Sequence, residues 1–220
     1  MEISKETHRP SADAAWLSAY THFLSGFAST ALAYDPEPAI QRVLDSSKAI
    51  YAFWGDTPPN NAMDMMFGRQ VDSPRLSCWM GDPAARYRYS GTEFVPQPWH
   101  PALLPLRERL TAFCGASFNS VLLNRYLDGD DGMGWHSDNE PELGPAPLIA
   151  SVSLGAERRF ALRRRDDHAK KAEVVLGHGD LLLMGGATQR HYQHALPKST
   201  RPLAERINLT FRWIDAAGSA

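Results

Sequence analysis

The residues with the clearest chemical potential are a histidine and an aspartate two positions apart, His136 and Asp138. On an extended segment, residues at i and i+2 project from the same face, so this imidazole and this carboxylate would point together. A second imidazole from elsewhere completes the facial triad that holds non-haem iron(II) and leaves positions open for co-substrates. His191 and His194 are both available downstream, and spacing alone does not choose between them. The pattern predicts a metal site in which the third ligand is either His191 or His194.

A strictly alternating segment near the end of the chain, residues 206–213, offers partners for an anion. On a strand its polar and apolar residues occupy opposite faces. The polar face carries Arg206, Asn208, Thr210 and Arg212, and the apolar face carries Ile207, Leu209, Phe211 and Trp213. The polar face either contacts water or lines a barrel that holds an anionic ligand, for which planar guanidinium groups are well suited. The metal pattern favours the second interpretation.

The elements that must position these residues change along the chain. Before residue 47, apolar stripes at Trp16–Leu24 and Ala39–Leu44 predict two helices. Residues 54–99 are rich in Gly, Pro, Asn and aromatic residues, which is typical of short strands and loops. A further helix is predicted at Leu103–Phe113. From residue 119 onward we expect short strands at Ser120–Tyr126, Ile149–Leu154, Arg159–Arg163, Val174–Leu176, Leu181–Met184 and Arg206–Ile214. Many short strands of this kind indicate a sandwich or a closed jelly roll.

Length and composition indicate one ordinary globular domain, because 220 residues with 43% hydrophobic residues can bury a full core. Cys78 and Cys114 have no metal-like spacing and predict free thiols in a reducing cytosol. The sequence shows no apolar run long enough to span a membrane and no signal-peptide layout, so we expect a cytoplasmic location. The basic run from Arg158 to Lys171 is either a solvated hairpin tip or a phosphate-contacting patch.

Several motifs together resemble one family closely. They are Asn124–Tyr126, His136–Glu140, Ile149–Gly155, His178–Met184, His194–Pro197 and Arg206–Arg212. Their order and separation over about residues 67–214 resemble the AlkB family of Fe(II)- and 2-oxoglutarate-dependent dioxygenases. The resemblance implies a mainly β fold with flanking α elements, in which a double-stranded β-helix (jelly-roll) core lies beside N-terminal helices and a nucleotide-recognition lid. We therefore expect an N-terminal helical extension at 1–53 and the dioxygenase domain at 54–220, with the lid at about 60–99 and the core at about 119–214.

The resemblance also implies the roles of individual residues. The metal ligands would be His136, Asp138 and His194, the last preferred to His191 because it precedes the Leu-Pro pair and the arginine strand at the family's separation. 2-Oxoglutarate would be held by Asn124, Tyr126, Arg206, Thr210 and Arg212, with Asn208 supporting them. The implied cofactors are Fe(II), with 2-oxoglutarate and O2 as co-substrates.

The resemblance further implies a substrate site for a flipped nucleobase. Glu140 resembles the acid that contacts the base, although an exposed loop acid is the alternative, and Asn139 stands where the duplex-repair branch has an acidic residue. Tyr89, with Tyr87 nearby, resembles the aromatic residue that stacks on the base. Phe67, in the Phe67–Arg69 segment with Gly68, resembles a finger that fills the gap in the duplex, with a core position as the alternative.

The function implied is oxidative dealkylation of N-alkylated bases of the 1-methyladenine and 3-methylcytosine type in DNA. The alkyl group leaves as an aldehyde while 2-oxoglutarate becomes succinate and CO2. RNA demethylation and a dioxygenase acting on a protein or small molecule are the alternatives, and a non-catalytic jelly-roll binding module is a third. The expected partner is alkylated nucleic acid, with no membrane association and a monomeric chain.

Overall fold

The computed structural model describes residues 75–89 and 92–215, together with strand backbone at 3–5, 20–24, 64–66 and 69–71. For 87–89 and 92–94 the backbone alone is described. Within these residues no helix is long and apolar enough to cross a membrane.

Short strands dominate the described chain. The strands are β1 (Ile3–Lys5), β2 (Tyr20–Leu24), β3 (Asp64–Met66), β4 (Arg69–Val71), β5 (Leu76–Gly81), β6 (Tyr87–Tyr89), β7 (Thr92–Phe94), β8 (Ser120–Tyr126), β9 (Met133–His136), β10 (Ile149–Gly155), β11 (Arg158–Arg164), β12 (Lys171–Leu176), β13 (Leu181–Gly185), β14 (Tyr192–Leu196) and β15 (Arg206–Arg212). The helices are α1 (Leu104–Cys114) and α2 (Thr188–His191), with 3-10 turns at Pro101–Leu103 and Pro141–Leu143.

Two sheets carry the architecture. The large sheet has the strand order β1-β2-β13-β10-β15-β8-β5, and the small sheet has the order β12-β11-β14-β9. Apart from the parallel pair β1–β2, the paired strands are antiparallel. β3–β4 and β6–β7 form two separate ribbons. This arrangement confirms the predicted mainly β jelly-roll fold.

Alternation along β15 divides the large sheet into an apolar and a polar face. Its apolar residues pack with Val121 and Leu123 of β8 and with Leu110 of α1 in the largest buried cluster. The register pairs Leu209 with Leu123, and Phe211 with Val121, so the apolar face is continuous across both strands. The opposite, polar face points toward the small sheet, as the interpretation of an inward polar face required.

A second apolar cluster lies between the two sheets and holds them together. Large-sheet residues such as Ile149 and Leu182 pack there against Phe160, Leu162 and Tyr192 from the small sheet. Burying side chains of this size stabilises the contact by about 1.5–3 kcal/mol each. This cluster makes one end of the space between the sheets apolar. The polar side chains of β15 lie at the other end.

The first predicted helix is wrong where the structure describes it. Tyr20–Leu24 is strand β2, which pairs antiparallel with β13 and extends the edge of the large sheet. Over five residues a helical stripe and a strand alternation are hard to distinguish, and tertiary pairing with a sheet edge overrides local preference. The second predicted helix, Ala39–Leu44, lies outside the described residues. The helix predicted at Leu103–Phe113 is confirmed as α1.

Candidate active site

Three potential metal ligands come together at the open end of the small sheet. His136 ends β9 and is the registered partner of His194 on β14, so the two imidazole rings lie 4.2 Å apart, centroid to centroid. Asp138 follows two residues later, with its Oδ1 3.6 Å from Nε2 of His136. One ligand atom from each residue lies within 4.8 Å of the others. This set of two imidazoles and one carboxylate is the donor set that suits iron(II).

The protein fixes Asp138 from two sides. Its Oδ2 accepts a hydrogen bond of 2.8 Å from Nη2 of Arg212, and its backbone N–H donates to Oε1 of Gln189 at 2.9 Å. Burial acts to raise the pKa of Asp138, but Arg212 and the two imidazoles outweigh it and hold that pKa below its usual value. The carboxylate is therefore ionised and oriented before any cation arrives.

The two histidines are prepared for a metal by different means. Nδ1 of His136 lies 2.8 Å from the carbonyl oxygen of Gly134, an acceptor, so Nδ1 carries the proton and Nε2 is left for a metal. His194 is stacked on Phe160 with 5.4 Å between ring centroids, and burial together with His136 lowers the pKa of His194 to about 3. His191 is exposed at the end of α2. The structure therefore places His194, and not His191, beside His136 and Asp138.

The polar face of β15 forms a hydrogen-bonded row beside the triad. Nη2 of Arg206 donates to Oγ of Ser153 and to Oδ1 of Asn208, both at 2.9 Å. Nδ2 of Asn208 donates to Oγ1 of Thr210 at 2.6 Å, and Oγ of Ser151 donates to Oδ1 of Asn208 at 3.0 Å. The bond between Ser153 and Arg206 shows that β10 supports this row. Neither serine was singled out from the sequence, because only the pairing of β10 with β15 reveals their position.

Two donor atoms in this region have no hydrogen-bond partner among the described residues. They are the buried Nε atoms of Arg206 and Arg212. A buried donor that makes no hydrogen bond costs about 1–3 kcal/mol, so a native site with two of them is built for an acceptor that comes from outside. A dicarboxylate has the charge and the oxygen atoms to satisfy both groups. The residues present therefore fit 2-oxoglutarate as well as iron.

The neighbouring strand β8 adds the remaining predicted residues. Register pairs Asn124 with Asn208, and Tyr126 with Arg206, so all four lie on the polar face. The guanidinium carbon of Arg206 is 5.5 Å from the centroid of the Tyr126 ring. Oδ1 of Asn124 accepts from Nε of Arg75 at 3.1 Å. Arg75 was missed in the sequence, because its position beside Asn124 depends on the pairing of β5 with β8.

These groups line one cavity of about 210 Å³. Its wall contains the triad, the polar row of β15, Asn124 and Tyr126. Trp79, Phe160 and Met184 supply the apolar part of the wall. A small anion and a metal ion would share this one cavity.

Comparison with known proteins decides the family. The model of the 2OG-Fe(II) oxygenase superfamily matches residues 39–212. This chain belongs to that superfamily. The superfamily's name gives the cofactors expected from the sequence, Fe(II) and 2-oxoglutarate, and the cavity contains groups suited to both.

Individual relatives confirm the resemblance to the AlkB branch of the superfamily. The mouse (Mus musculus) "DNA oxidative demethylase ALKBH2" is 45% identical over 156 residues, covering 68% of this chain and 65% of that protein. The cattle (Bos taurus) "Alpha-ketoglutarate-dependent dioxygenase alkB homolog 3" is 43% identical over 150 residues, covering 64% of this chain and 52% of that protein. The chain thus matches between about half and two thirds of the length of these relatives.

A solved structure shares the fold at lower sequence similarity. "The structure of OsALKBH1" superposes with a TM-score of 0.61 and 19% identity, covering 90% of this chain and 98% of that one. At this identity the likeness supports the jelly-roll architecture alone.

The predicted substrate residues are placed only in part. Glu140 is a half-buried residue of the cavity wall, its Oε2 is buried without a hydrogen-bond partner among the described residues, and Asn139 is exposed. Burial, followed by the charge of Asp138, raises the pKa of Glu140. The alternative of an exposed loop acid does not fit this position. The other substrate-contact predictions lie outside the described side chains, namely Phe67, Gly68, Arg69, Tyr87 and Tyr89.

Three of the seven cations in the basic run from Arg158 to Lys171 are paired with acidic side chains, and a fourth is buried. Arg164 pairs with Asp166, and exposed pairs join Arg159 to Glu173 and Lys170 to Asp167, each at 3.6 Å. Arg158 is buried. These contacts favour the solvated hairpin tip over a phosphate-contacting patch.

Proposed function

We propose that this chain is an Fe(II)- and 2-oxoglutarate-dependent dioxygenase that removes N-alkyl groups from nucleobases in DNA. The observation that carries the proposal is the cavity in which His136, Asp138 and His194 lie beside the unsatisfied Nε atoms of Arg206 and Arg212. A metal triad alone would suit many reactions. A triad next to two buried guanidinium groups suits a metal that shares its site with a dicarboxylate.

Bound iron and 2-oxoglutarate would supply the oxidising chemistry, in which O2 converts 2-oxoglutarate to succinate and CO2 and hydroxylates the alkyl carbon, so that the alkyl group leaves as an aldehyde and the unmodified base stays in the nucleic acid. The chain's own residues bind and orient. Arg206 and Tyr126, with Asn124 and Thr210, hold the co-substrate, and Asn208 orients Arg206 and Thr210. Arg212 holds the Asp138 carboxylate in place, and its Nε would donate a hydrogen bond to the co-substrate.

The substrate proposal rests on Glu140 and on the relatives' names. An unsatisfied carboxylate oxygen in the wall of the cavity can accept a hydrogen bond from the exocyclic amine of adenine or cytosine. Methylation at N1 of adenine or N3 of cytosine makes the base cationic, which an ionised Glu140 would favour. The relatives named as DNA oxidative demethylases support DNA as the polymer.

We propose that residues 64–71 and 87–89 give the enzyme access to a base in duplex DNA. Strands β3 and β4 pair antiparallel on either side of positions 67 and 68, which agrees with a finger carrying Phe67. Tyr87 and Tyr89 belong to the β6 backbone and would contact the flipped base. These roles follow the resemblance and stay predictions.

The decisive experiment compares polymers side by side. Oligonucleotides with a single 1-methyladenine or 3-methylcytosine, as single-stranded DNA, duplex DNA and RNA, are incubated with enzyme, Fe(II), ascorbate and 2-oxoglutarate. We expect formaldehyde and succinate in equal amounts, with DNA turned over faster than RNA, and no product from His136→Ala. The proposal fails if the wild-type protein yields no formaldehyde from any methylated oligonucleotide. If methylated RNA were turned over faster than methylated DNA, RNA would be the preferred substrate and the DNA assignment would be wrong.

We also infer that the chain works as a monomer in the cytoplasm. Both cysteines are free, as expected in a reducing compartment. Sedimentation of the purified protein at micromolar concentration tests the monomer, and a stable dimer would contradict it.

A further inference from the structure

Arg158 is an arginine that the proposed chemistry does not use and the fold nevertheless buries. It begins β11 and is 3% exposed, whereas its neighbour Arg159 has a side chain 61% exposed. Arginine is rarely buried unless its donors are paired, because removing the guanidinium group from water is costly. The position must therefore offer compensating contacts.

Those contacts are three backbone carbonyls from two different loops. Nη1 donates to the carbonyl oxygen of Asp128 at 3.0 Å, and Nη2 donates to the carbonyl oxygens of Asp131 and Pro197 at 2.8 and 2.9 Å. The rigid, planar guanidinium fork can satisfy three acceptors at once in fixed directions. One side chain thus fixes both loops relative to β11.

The two loops belong to opposite halves of the site. The loop of Asp128 and Asp131 leaves the large sheet at the end of β8, directly after Tyr126, and enters the small sheet at β9, which ends in His136. Pro197 follows β14, which carries His194. The guanidinium carbon of Arg158 also lies 5.9 Å from the centroid of the Tyr126 ring. Arg158 therefore contacts the chain where the metal ligands and the anion-binding residues are joined.

Each half has its own hydrogen-bonded ladder, so neither half needs Arg158 to keep its register. His136 and His194 are partners within the small sheet, and Asn124 and Asn208 are partners within the large sheet. The ladders do not fix the separation between the two sheets at this end of the cavity; the bond from Arg212 to Asp138 joins the two halves at one point, and the contacts of Arg158 join them at a second. A ligand that must reach the metal and the arginines together depends on that separation.

We propose that Arg158 is a positioning residue that sets the distance between the metal triad and the anion-binding row, so that one 2-oxoglutarate molecule engages both. The inference rests on the proposed function and assigns a structural cause to the coupling of metal and co-substrate. Lysine keeps the charge but is a compact point donor on a flexible stem, and it cannot hold three carbonyls in one plane. Arg158→Lys therefore separates geometry from charge.

The test measures coupling and not turnover. The affinity for Mn(II), a paramagnetic substitute for Fe(II), is determined by electron paramagnetic resonance of the free ion, without and with saturating 2-oxoglutarate. By linkage, the ratio of the two affinities equals the effect of the metal on 2-oxoglutarate binding, and such ratios are typically about 5–150-fold. Arg159→Lys, on the same strand but facing solvent, is the matched control.

We expect Arg158→Lys to bind Mn(II) alone within about twofold of wild type while its coupling ratio falls at least about fivefold. Arg159→Lys should keep the wild-type ratio. An unchanged ratio in a less stable Arg158→Lys protein would overturn the inference and leave a merely structural residue. Circular dichroism gives the folded fraction of each variant before titration, and because partial unfolding would raise the apparent ratio, a fall in the ratio cannot come from unfolding; Arg158→Gln is tested in the same way. Absence of coupling in the wild type would instead refute the proposed function.

Discussion

Removing Arg212 should destabilise the metal-free protein strongly, because it leaves Asp138 as a buried charge without its partner. The two side chains are 7% and 6% exposed and are joined by the bond of 2.8 Å. Breaking a buried pair by deleting one partner costs about 3–5 kcal/mol, and solvent screening is minor at this exposure. For a domain of this size, about 2–4 °C of Tm is lost per kcal/mol. Arg212→Met should therefore lower the Tm by about 6–20 °C.

The contribution of Asp138 to the free energy of unfolding should depend on pH with the opposite sign in Arg212→Met and in the wild type. In the wild type the folded pKa of Asp138 is lowered, so its contribution to stability is present above the unfolded pKa and lost as pH falls through the folded pKa. Without Arg212, burial dominates and raises the folded pKa. The variant should then lose stability as pH rises from about 4 toward 7, where the unfolded carboxyl ionises first. The gap between wild type and variant should widen over this range.

The assay is urea unfolding followed by circular dichroism between pH 4 and 7, with EDTA present because a bound cation would replace the missing charge. Asp138→Asn and the double variant complete a double-mutant cycle. The double variant should lose less free energy of unfolding than the sum of the losses in the two single variants. A loss below about 1 kcal/mol in Arg212→Met, or independent losses in the cycle, would refute the reasoning.

Three further predictions concern other parts of the molecule. Glu140→Gln should raise the KM for methylated oligonucleotides more than the KM for 2-oxoglutarate, and equal changes in both would contradict a substrate contact. Phe67→Ala should reduce turnover of duplex more than of single-stranded DNA, and equal reductions would remove the finger. Burial raises the thiol pKa to about 12 for Cys78 and about 11 for Cys114, so native protein at pH 8 should react with iodoacetamide far more slowly than unfolded protein. Because these folded pKa values are raised, the thiols' contribution to stability is full below the unfolded thiol pKa and declines as pH rises toward 11–12, as urea unfolding from pH 8 to 11 would show.

The periodicity of apolar and polar residues correctly predicted the strands and the helix that have one apolar and one polar face. β15 follows the predicted alternation, and β8 matches its predicted bounds, Ser120–Tyr126. In both strands one face contacts an apolar cluster and the other a polar cavity, so the period of two is visible in the residues themselves. α1 was predictable for the same reason, since one turn of helix separates the apolar residues that pack on the sheet.

Long-range pairing could not be read from the sequence. Strand β9 holds the motif that ends in His136, but its partner β14 is more than fifty residues away and has only five residues. That pairing is what places His194 and not His191 beside His136. The strand at Tyr20–Leu24 was mistaken for a helix because its partner, β13, also lies far along the chain. Gln189 and Arg75 were missed for the same reason, because the residue that each contacts, Asp138 and Asn124 respectively, lies about fifty positions away in the sequence.

The active site also accounts for an unusual feature of the core. A β15 that served stability alone would present apolar side chains toward the small sheet, yet it buries two arginines, an asparagine and a threonine there. The serines of β10 satisfy part of this row, but the two Nε atoms remain without partners among the described residues. A fold that retains unsatisfied buried donors must recover their desolvation cost from a ligand, since no neighbouring side chain in the described site does so. We propose that the same atoms that weaken the empty protein give a dicarboxylate its affinity, which would link stability and co-substrate binding through β15.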